Sequence, residues 1–389
     1  DTTVSGYIVA APVSGASVVV KDSAGNMLAG PVTTAADGRY SIDPGSAVSG
    51  IFVIESNGGS YIDEASDTLT TAGTLKAYVD NTNVLTGRQV VHATPASTIV
   101  YEMVATHGMT LSAALTAFES AFGFPADSDV APADATSPVA GATDKEKLEG
   151  LRAAAFSQLT NELGLTPAEQ FDLLTALAAD LVDGVLDGKN ASGNIPITAV
   201  VMMPVDIQSR FITALLNFHD SGLKGDTSGS DQTGLDNSQI GILPFAKVAM
   251  AGTYKVEYVP GLMDAMQGKT EFKLRISDAV GNPVSSTVTL DMMMFMSDRK
   301  HSTPDLDCDE SLTAGEYDCT VYYVMPTLDA LGNSMGYWQL KATVDAKSAV
   351  FYPMVIMAMG DTTRTLLKGI IGVDTITMMT DTLSLSLIH

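Results

Sequence analysis

The sequence predicts a mixed β and α fold in which two Ig-like or transthyretin-like β-sandwiches are separated by an α-helical bundle. Short runs of β-branched residues between turn residues occupy the beginning of the chain and return after about residue 250, whereas apolar residues recur every three or four positions between them. A chain of 389 residues also exceeds the usual size of a single-core domain. We expect a first sandwich at residues 1–85, a helical domain at 90–225 and a second sandwich at 245–389.

The first sandwich is predicted from strands that alternate with the turns SAGN and ADGR. Three segments within it, Pro12 to Val20, Asp22 to Gly25 and Thr34 to Ile42, follow a recognisable pattern. By this pattern the stretch resembles the carboxypeptidase-regulatory-like, transthyretin-related β-sandwich modules. The resemblance implies a structural or surface-attached spacer without catalytic activity.

The helical domain is predicted from helix-start signals and from apolar periodicity. Thr94 precedes Pro95, and Thr166 precedes Pro167 with a glutamate at the capping-box position. The segments at 151–165 and 171–186 carry apolar residues at three- and four-residue spacing. We therefore expect them to pack together as a small antiparallel bundle.

The second sandwich is predicted from seven short strand-like segments after residue 250, separated by turn residues. Its two cysteines, Cys308 and Cys319, are the only ones in the chain and flank a turn at Gly315. An antiparallel pair of strands would bring their side chains together, which predicts a disulfide and an oxidising compartment. The alternative is a reduced pair in a cytosolic protein.

Methionines are concentrated in this region, as in the stretch DMMMFMSDRKHSTP at 291–304. In a strand, Met292, Met294 and Met296 would share one face. His301 follows after a turn, and Met325 and Met335 lie at strand ends where loops could gather. Thioethers with one imidazole suit Cu(I), whereas methionine is also a common filler of irregular cores.

A resemblance to a second family involves the same residues. The segments Asp278 to Val284, Met292 to Met296, His301 to Pro304, Gly315 to Pro326 and Met335 to Leu340 together look like the FixH/YtkA-like β-sandwich domains of bacterial envelope proteins. Some members of that family are associated with copper handling. The resemblance therefore implies a copper site, for which the matching positions are as follows: Met294, Met296, His301, Met325 and Met335.

Other parts of the sequence are predicted to be structural. The run containing Met354, Met357 and Met359 is embedded among Val and Ile and is expected to be core, as is the single tryptophan, Trp338. Arg299 and Lys300 add positive charge close to the proposed copper ligands.

The sequence contains no recognisable catalytic motif, whether GxSxG, HExxH or a phosphate-binding glycine loop. Asp180, Asp183 and Asp187 would share one face of a helix, but they lack the alternating ligand spacing of a calcium loop. We expect this face to lie in solvent, and we expect the protein not to be an enzyme.

The composition limits the partners. The formal charge of −24, from 45 acidic and 21 basic residues, disfavours nucleic acid and anionic membranes, which attract basic surfaces. No apolar run approaches the ~18 residues that a membrane-spanning helix needs. Near the end of the sequence, Leu383, Leu385 and Leu387 alternate with serines, which predicts a strand that pairs with its own sheet or with another subunit.

These expectations lead to two candidate functions. The first is an exported structural subunit of a cell-surface or extracellular filament-like assembly, polymerising with itself by strand exchange and optionally carrying the Met/His site. The alternative is a copper-binding or copper-delivery protein of the periplasm or cell surface. Copper is the only cofactor that the residues suggest.

Overall fold

The computed structural model describes residues 3–44, 50–81, 88–137, 140–221, 234–303 and 306–358, and the strands at 364–368 and 384–388. Within these residues the protein is a β-rich mixed fold with five α-helices. It divides into two compact units, Asp1–Leu235 and Asp236–His389. The segments 1–85 and 90–225, which were predicted to be separate domains, therefore lie in one unit.

The strands of the first unit form two main sheets with the orders β4-β1-β9 and β3-β2-β5-β8, together with the hairpins β6-β7 and β10-β11. All pairs are antiparallel except β1 with β9. Val18 and Val20 on β2 are buried, as the alternation of its residues predicts. The bounds are β1 (Thr3–Tyr7), β2 (Ser17–Asp22), β3 (Met27–Thr33), β4 (Arg39–Ile42), β5 (Gly50–Asn57), β6 (Ser60–Asp63), β7 (Thr68–Thr71), β8 (Leu75–Asn81), β9 (Arg88–Val90), β10 (Lys189–Asn190) and β11 (Gly193–Asn194).

The two predicted caps are present, at Thr94 before the helix Pro95–Ala105 and at Thr166 before the short 3₁₀ turn Pro167–Glu169. The Ser97 amide donates to the Thr94 hydroxyl at 3.2 Å, and the Thr166 amide donates to the Glu169 carboxylate at 2.7 Å. Phe122, Phe156 and Phe211 join three of the helices in one aromatic cluster, with ring centroids 4.7–5.5 Å apart. The bounds are α1 (Pro95–Ala105), α2 (Leu111–Phe122), α3 (Asp144–Glu162), α4 (Gln170–Asp180) and α5 (Ile207–Ser221). Among the described residues, no helix is both long enough and apolar enough to cross a membrane.

Helices and strands of the first unit share buried contacts. The Ser157 hydroxyl on α3 donates to the Asp63 carboxylate at 2.7 Å and accepts the Ala65 amide at 3.0 Å. Tyr78 on β8 stacks on Tyr101 of α1, with ring centroids 4.9 Å apart. The helices thus pack directly on the strands that precede them in the chain.

The second unit contains two antiparallel sheets with the orders β12-β13-β14-β18-β17 and β16-β15-β19-β20. One hydrophobic core contains residues from both sheets, including the fully buried Trp338. Trp338 is therefore a core residue, as predicted. The bounds are β12 (Val248–Ala251), β13 (Tyr254–Pro260), β14 (Gly268–Ser277), β15 (Val288–Phe295), β16 (Lys300–Ser302), β17 (Leu306–Glu310), β18 (Glu316–Tyr323), β19 (Tyr337–Val344) and β20 (Lys347–Phe351).

A further pair of strands, β21 (Arg364–Lys368) and β22 (Ser384–Ile388), forms a two-stranded antiparallel sheet of its own. Leu385 lies opposite Leu367 and Leu387 lies opposite Thr365. Leu383, the third residue of the predicted assembly strand, lies outside the described residues. Residues 384–388 thus form β22, which pairs with β21 of the same chain.

Candidate functional site

The methionine stretch forms β15, and its alternate residues face opposite sides of the sheet. Met292 and Met294 are buried, whereas Met293 and Phe295 are half-buried. Met294 is fully enclosed in the core and lies opposite Trp338 on β19. Its thioether therefore packs among core side chains.

His301 lies on the other side of Met294. The short strand β16 pairs with β15 so that His301 is directly opposite Met294. Directly opposite residues of antiparallel strands project to the same face, with Cβ atoms ~5 Å apart. Because β16 is an edge strand, His301 is exposed while Met294 is buried. The pairing places an accessible imidazole at the rim of the methionine-containing core.

Three more of the predicted residues lie at one end of the two sheets. Met296 follows the last residue of β15, Met325 follows β18, and Met335 precedes β19, and each packs half-buried against the core. β15 ends where β19 begins, since Phe295 lies opposite Tyr337, and Tyr323 at the end of β18 packs on Trp338 of β19 with ring centroids 5.2 Å apart. The loops at this end are joined by hydrogen bonds, such as the Trp338 indole to the Met325 carbonyl at 3.1 Å. The structure therefore gathers these methionines where their strands end.

A tight turn holds the loop between Met325 and Met335. The Asp329 carboxylate accepts the amides of Leu331 and Asn333 at 2.8 Å, and the Asn333 side chain donates to it at 2.9 Å. These hydrogen bonds keep the pKa of Asp329 below its ordinary value, because they stabilise the charged form. The loop that carries two of the candidate ligands is thereby preorganised.

Other methionines lie at this end, of which the sequence analysis did not single out Met263 and Met266 and expected Met354 and Met357 to be core. Met263 and Met266 lie in the loop before β14, and Met354 and Met357 follow β20. The amide of Ile356 donates to the Ala265 carbonyl at 2.9 Å, which joins these two loops. Met357 is 42% exposed and Met354 is half-buried, so the prediction that this run is core was wrong for Met357; Met359 lies outside the described residues. The prediction relied on the Val and Ile residues beside Met357 in sequence. Met357 is exposed because it lies beyond the end of β20.

Charges near the candidate ligands are partly neutralised. The Arg299 guanidinium forms two hydrogen bonds of 2.9 Å with the Asp298 carboxylate, and the Lys300 ammonium lies 4.4 Å from the centroid of the Phe295 ring. Across the residues that the structure describes, no group of three or more His, Cys, Asp or Glu side chains could hold a metal ion. The candidate ligand set therefore consists of thioethers and one imidazole.

The cysteines are joined by a disulfide. Cys308 on β17 lies directly opposite Cys319 on β18, with their Cα atoms 4.0 Å apart. β17 is an edge strand of the five-stranded sheet, and Cys319 is buried. The disulfide thus ties an edge strand of the sheet to its neighbour.

One expectation about the first unit was wrong. Asp180 is completely buried, although it was expected to lie in solvent with Asp183 and Asp187. Its carboxylate accepts the amides of Gly188 and Lys189 at 2.9 and 3.0 Å, and burial raises its pKa to about 6. Helical periodicity could not predict the burial of Asp180. The residues that bind its carboxylate, Gly188 and Lys189, lie beyond the end of α4 and fold back onto it.

Comparison with known proteins does not assign a family. No known family's sequence profile matches the chain, and no curated protein matches it. Among solved structures, the twitchin kinase region of C. elegans is 11% identical with a TM-score of 0.17, over 54% of this chain and 42% of that one. An engineered protein is 13% identical with a TM-score of 0.16, over 60% of this chain and 49% of that one. The chain thus spans less than half the length of either, and similarity at this level supports no conclusion about fold or function.

Proposed function

We propose that this protein is an exported, non-enzymatic structural subunit of a cell-surface or extracellular filament-like assembly, and that it assembles partly by β-strand exchange. The observation that carries the proposal is the separate β21-β22 sheet, whose described strands are not hydrogen-bonded to either sheet of the second unit. A two-stranded sheet is at most marginally stable alone in water, and both of its edges can accept another strand. Pairing with the sheet of a second subunit would satisfy these edges.

The disulfide and the surface charge support the same proposal. A disulfide between Cys308 and Cys319 persists in oxidising compartments outside the cytosol. The charge of −24 favours solubility and opposes unspecific association between copies of the chain. Strand pairing supplies a directional contact that can outweigh this repulsion, because main-chain hydrogen bonds do not depend on net charge.

The test is the assembly of the full chain compared with two variants. The double change Leu385→Ser and Leu387→Ser removes the alternation of β22, whereas Ser384→Thr with Ser386→Thr keeps it and serves as the control. We expect filaments in negative-stain electron microscopy for the wild type and the control, and dispersed particles for the leucine variant. Filaments of unchanged length from the leucine variant, or from a chain lacking 376–389, would refute strand exchange.

A second candidate function, copper binding or delivery in the periplasm or at the cell surface, rests on a different observation. Met296, Met325 and Met335 collect at one end of the second unit, near the rim where His301 is exposed. Thioethers and imidazole are ligands suited to Cu(I). The two functions are compatible, because each subunit of a polymer could carry one ion.

A further inference from the structure

The first unit contains a cavity of about 390 Å³ between the strands β8 and β9 and the helices α1 and α2. Pockets that bind small molecules typically measure ~300–1,000 Å³. The residues that line the cavity all belong to the first unit, whereas the candidate copper ligands and the strand β22 belong to the second. The cavity is therefore separate from both of the functions proposed above.

Helix α2 contributes one of its faces to the protein core and another to the cavity. Phe118 and Phe122 are buried among the helices, whereas Leu111, Leu115 and Glu119 line the cavity. The latter three follow one another at four-residue intervals, so they form a stripe along the helix. Leu111 and Leu115 are only half-buried. The stripe thus offers apolar surface and one carboxylate to a molecule in the cavity.

The opposite walls of the cavity are mainly apolar. Val79 on β8, Val91 after β9 and Val100 on α1 line it, and all three are buried. These side chains come from a strand edge of each main sheet and from a helix, so their positions are fixed by the packing of the unit. An apolar group that entered the cavity would lose contact with water on several sides, which favours binding.

The charged groups at the cavity are of one sign. Among the described residues that line it, the carboxylates are Glu119 on α2 and Asp127 in the segment after α2, and none is a lysine or an arginine. Both residues are exposed, and neither carboxylate forms an ion pair or hydrogen bond within the described part of the chain. Two negative charges therefore lie at the cavity without a cationic partner.

His92, which also lines the cavity, does not balance these charges. Its Nδ1 accepts the amide of Tyr7 at 3.1 Å, so this nitrogen carries no proton. Its Nε2 lies 3.2 Å from the carbonyl oxygen of Asp129 and therefore carries the single proton of a neutral ring. The imidazole is thus an uncharged part of the wall, and both of its nitrogens are already occupied.

We propose that this cavity binds a small organic cation, in which an ammonium group is attached to a short apolar chain or ring. The ammonium pairs with Glu119 and Asp127, and the apolar part packs against the three valines and the leucines of α2. An anion of the same size is repelled by the two carboxylates, and a neutral compound gains only the apolar contacts. This inference does not depend on the proposed assembly or on copper.

The test is isothermal titration calorimetry of the full chain with 2-phenylethylammonium at physiological ionic strength. The neutral 2-phenylethanol and the anionic 3-phenylpropionate are titrated in the same way, because they keep the aromatic ring and change the charge. We expect the cation to bind at least tenfold more tightly than either. Equal affinity for the three compounds, or no binding of the cation, would overturn the proposal.

A matched pair of variants separates this site from a general attraction of cations to an acidic chain. Glu119→Gln with Asp127→Asn should lower the affinity for the cation to that for the alcohol. Asp309→Asn with Glu310→Gln makes the same change of charge at exposed positions of β17 in the second unit and should leave the affinity unchanged. An equal loss of affinity in both double variants would show unspecific attraction and reject the site.

A third variant tests the cavity itself without altering its charge. Thr116 lines the cavity at an exposed position of α2, so Thr116→Trp adds bulk there while leaving the core of the unit intact. We expect the affinities for the cation and for the alcohol to fall together by at least tenfold, with an unchanged helical circular-dichroism spectrum. Unchanged binding of the cation would place it outside the cavity and contradict the proposal.

Discussion

Met294 and Trp338 lie directly opposite each other on β15 and β19, and both side chains are fully buried. His301 occupies the other side of Met294 on the edge strand β16. The methionine stretch therefore contributes to the core through its centre, and Met296 at its end is only half-buried. Core packing depends on the volume of these side chains, whereas metal binding depends on their sulfur and nitrogen atoms. Different substitutions therefore test the two roles.

Truncation of Met294 should destabilise the second unit. Met294→Ala leaves a cavity beside Trp338, and we expect the free energy of unfolding to fall by ~2–5 kcal/mol. Met294→Leu conserves volume and should cost less than ~1.5 kcal/mol. Trp338 is the only tryptophan, so its fluorescence during urea unfolding reports on this unit alone. Equal effects of the two variants would mean that Met294 does not fill the core.

Removal of the peripheral thioethers should weaken Cu(I) binding if the copper hypothesis is right. For Met296→Leu with Met325→Leu we expect at least a tenfold rise in Kd, equivalent to ~1.4 kcal/mol, with little change in stability. A competition titration with a Cu(I) chelator measures this change. Met103→Leu, at a buried position in α1, is the control. An unchanged Kd in the double variant would eliminate the site.

Loss of the disulfide should destabilise the five-stranded sheet. Cys308 and Cys319 are separated by 11 positions in sequence, and closing a loop of this length restricts the unfolded chain by ~3 kcal/mol. We expect Cys308→Ser with Cys319→Ser to lower the free energy of unfolding by about this amount. Reduction of the wild type with a thiol should have the same effect, and its absence in both cases would contradict the prediction.

Burial of Asp180 should make the first unit less stable as the pH rises. Its pKa is raised by burial from the ordinary 3.8 to about 6, so between these values the folded chain binds more protons than the unfolded chain. The stability from this group is complete below pH 4 and is lost as the pH rises through 6. Relative to Asp180→Asn, the wild type should lose up to ~3 kcal/mol over this window.

Urea unfolding at several pH values measures this difference. The helical circular-dichroism signal is the readout for the first unit, because the described helices belong to that unit. The variant is the control, since the many other carboxylates of the chain titrate equally in both proteins. Parallel stability curves for the two proteins between pH 4 and 6.5 would refute a raised pKa.

Several features could be predicted because they depend on neighbouring residues. Thr94 caps a helix through an amide three residues away, and the alternation of β15 follows from strand geometry. The pairing of Cys308 with Cys319 required only one turn between two strands. Local sequence also located the candidate site near the methionine stretch.

Other features could not be predicted because they depend on distant parts of the chain. Asp63 and Ser157 are 94 positions apart, yet their hydrogen bond joins strands and helices that composition had separated into two domains. Met263 and Met266 lie at the same end of the unit as Met325 because the first residue of β14, Gly268, pairs with the last residue of β18, Tyr323.

The sequence by itself determined where helices and strands form, since propensity, capping and periodicity act over a few residues. Only the tertiary structure decided which side chains lose contact with water, because burial depends on which distant elements pack together. Lys247 illustrates this division: Phe245, one of the two rings beside its amine, lies two positions away in sequence, whereas Tyr258 reaches the amine through the pairing of β12 with β13. The contact between Lys247 and Tyr258 therefore exists only in the folded chain.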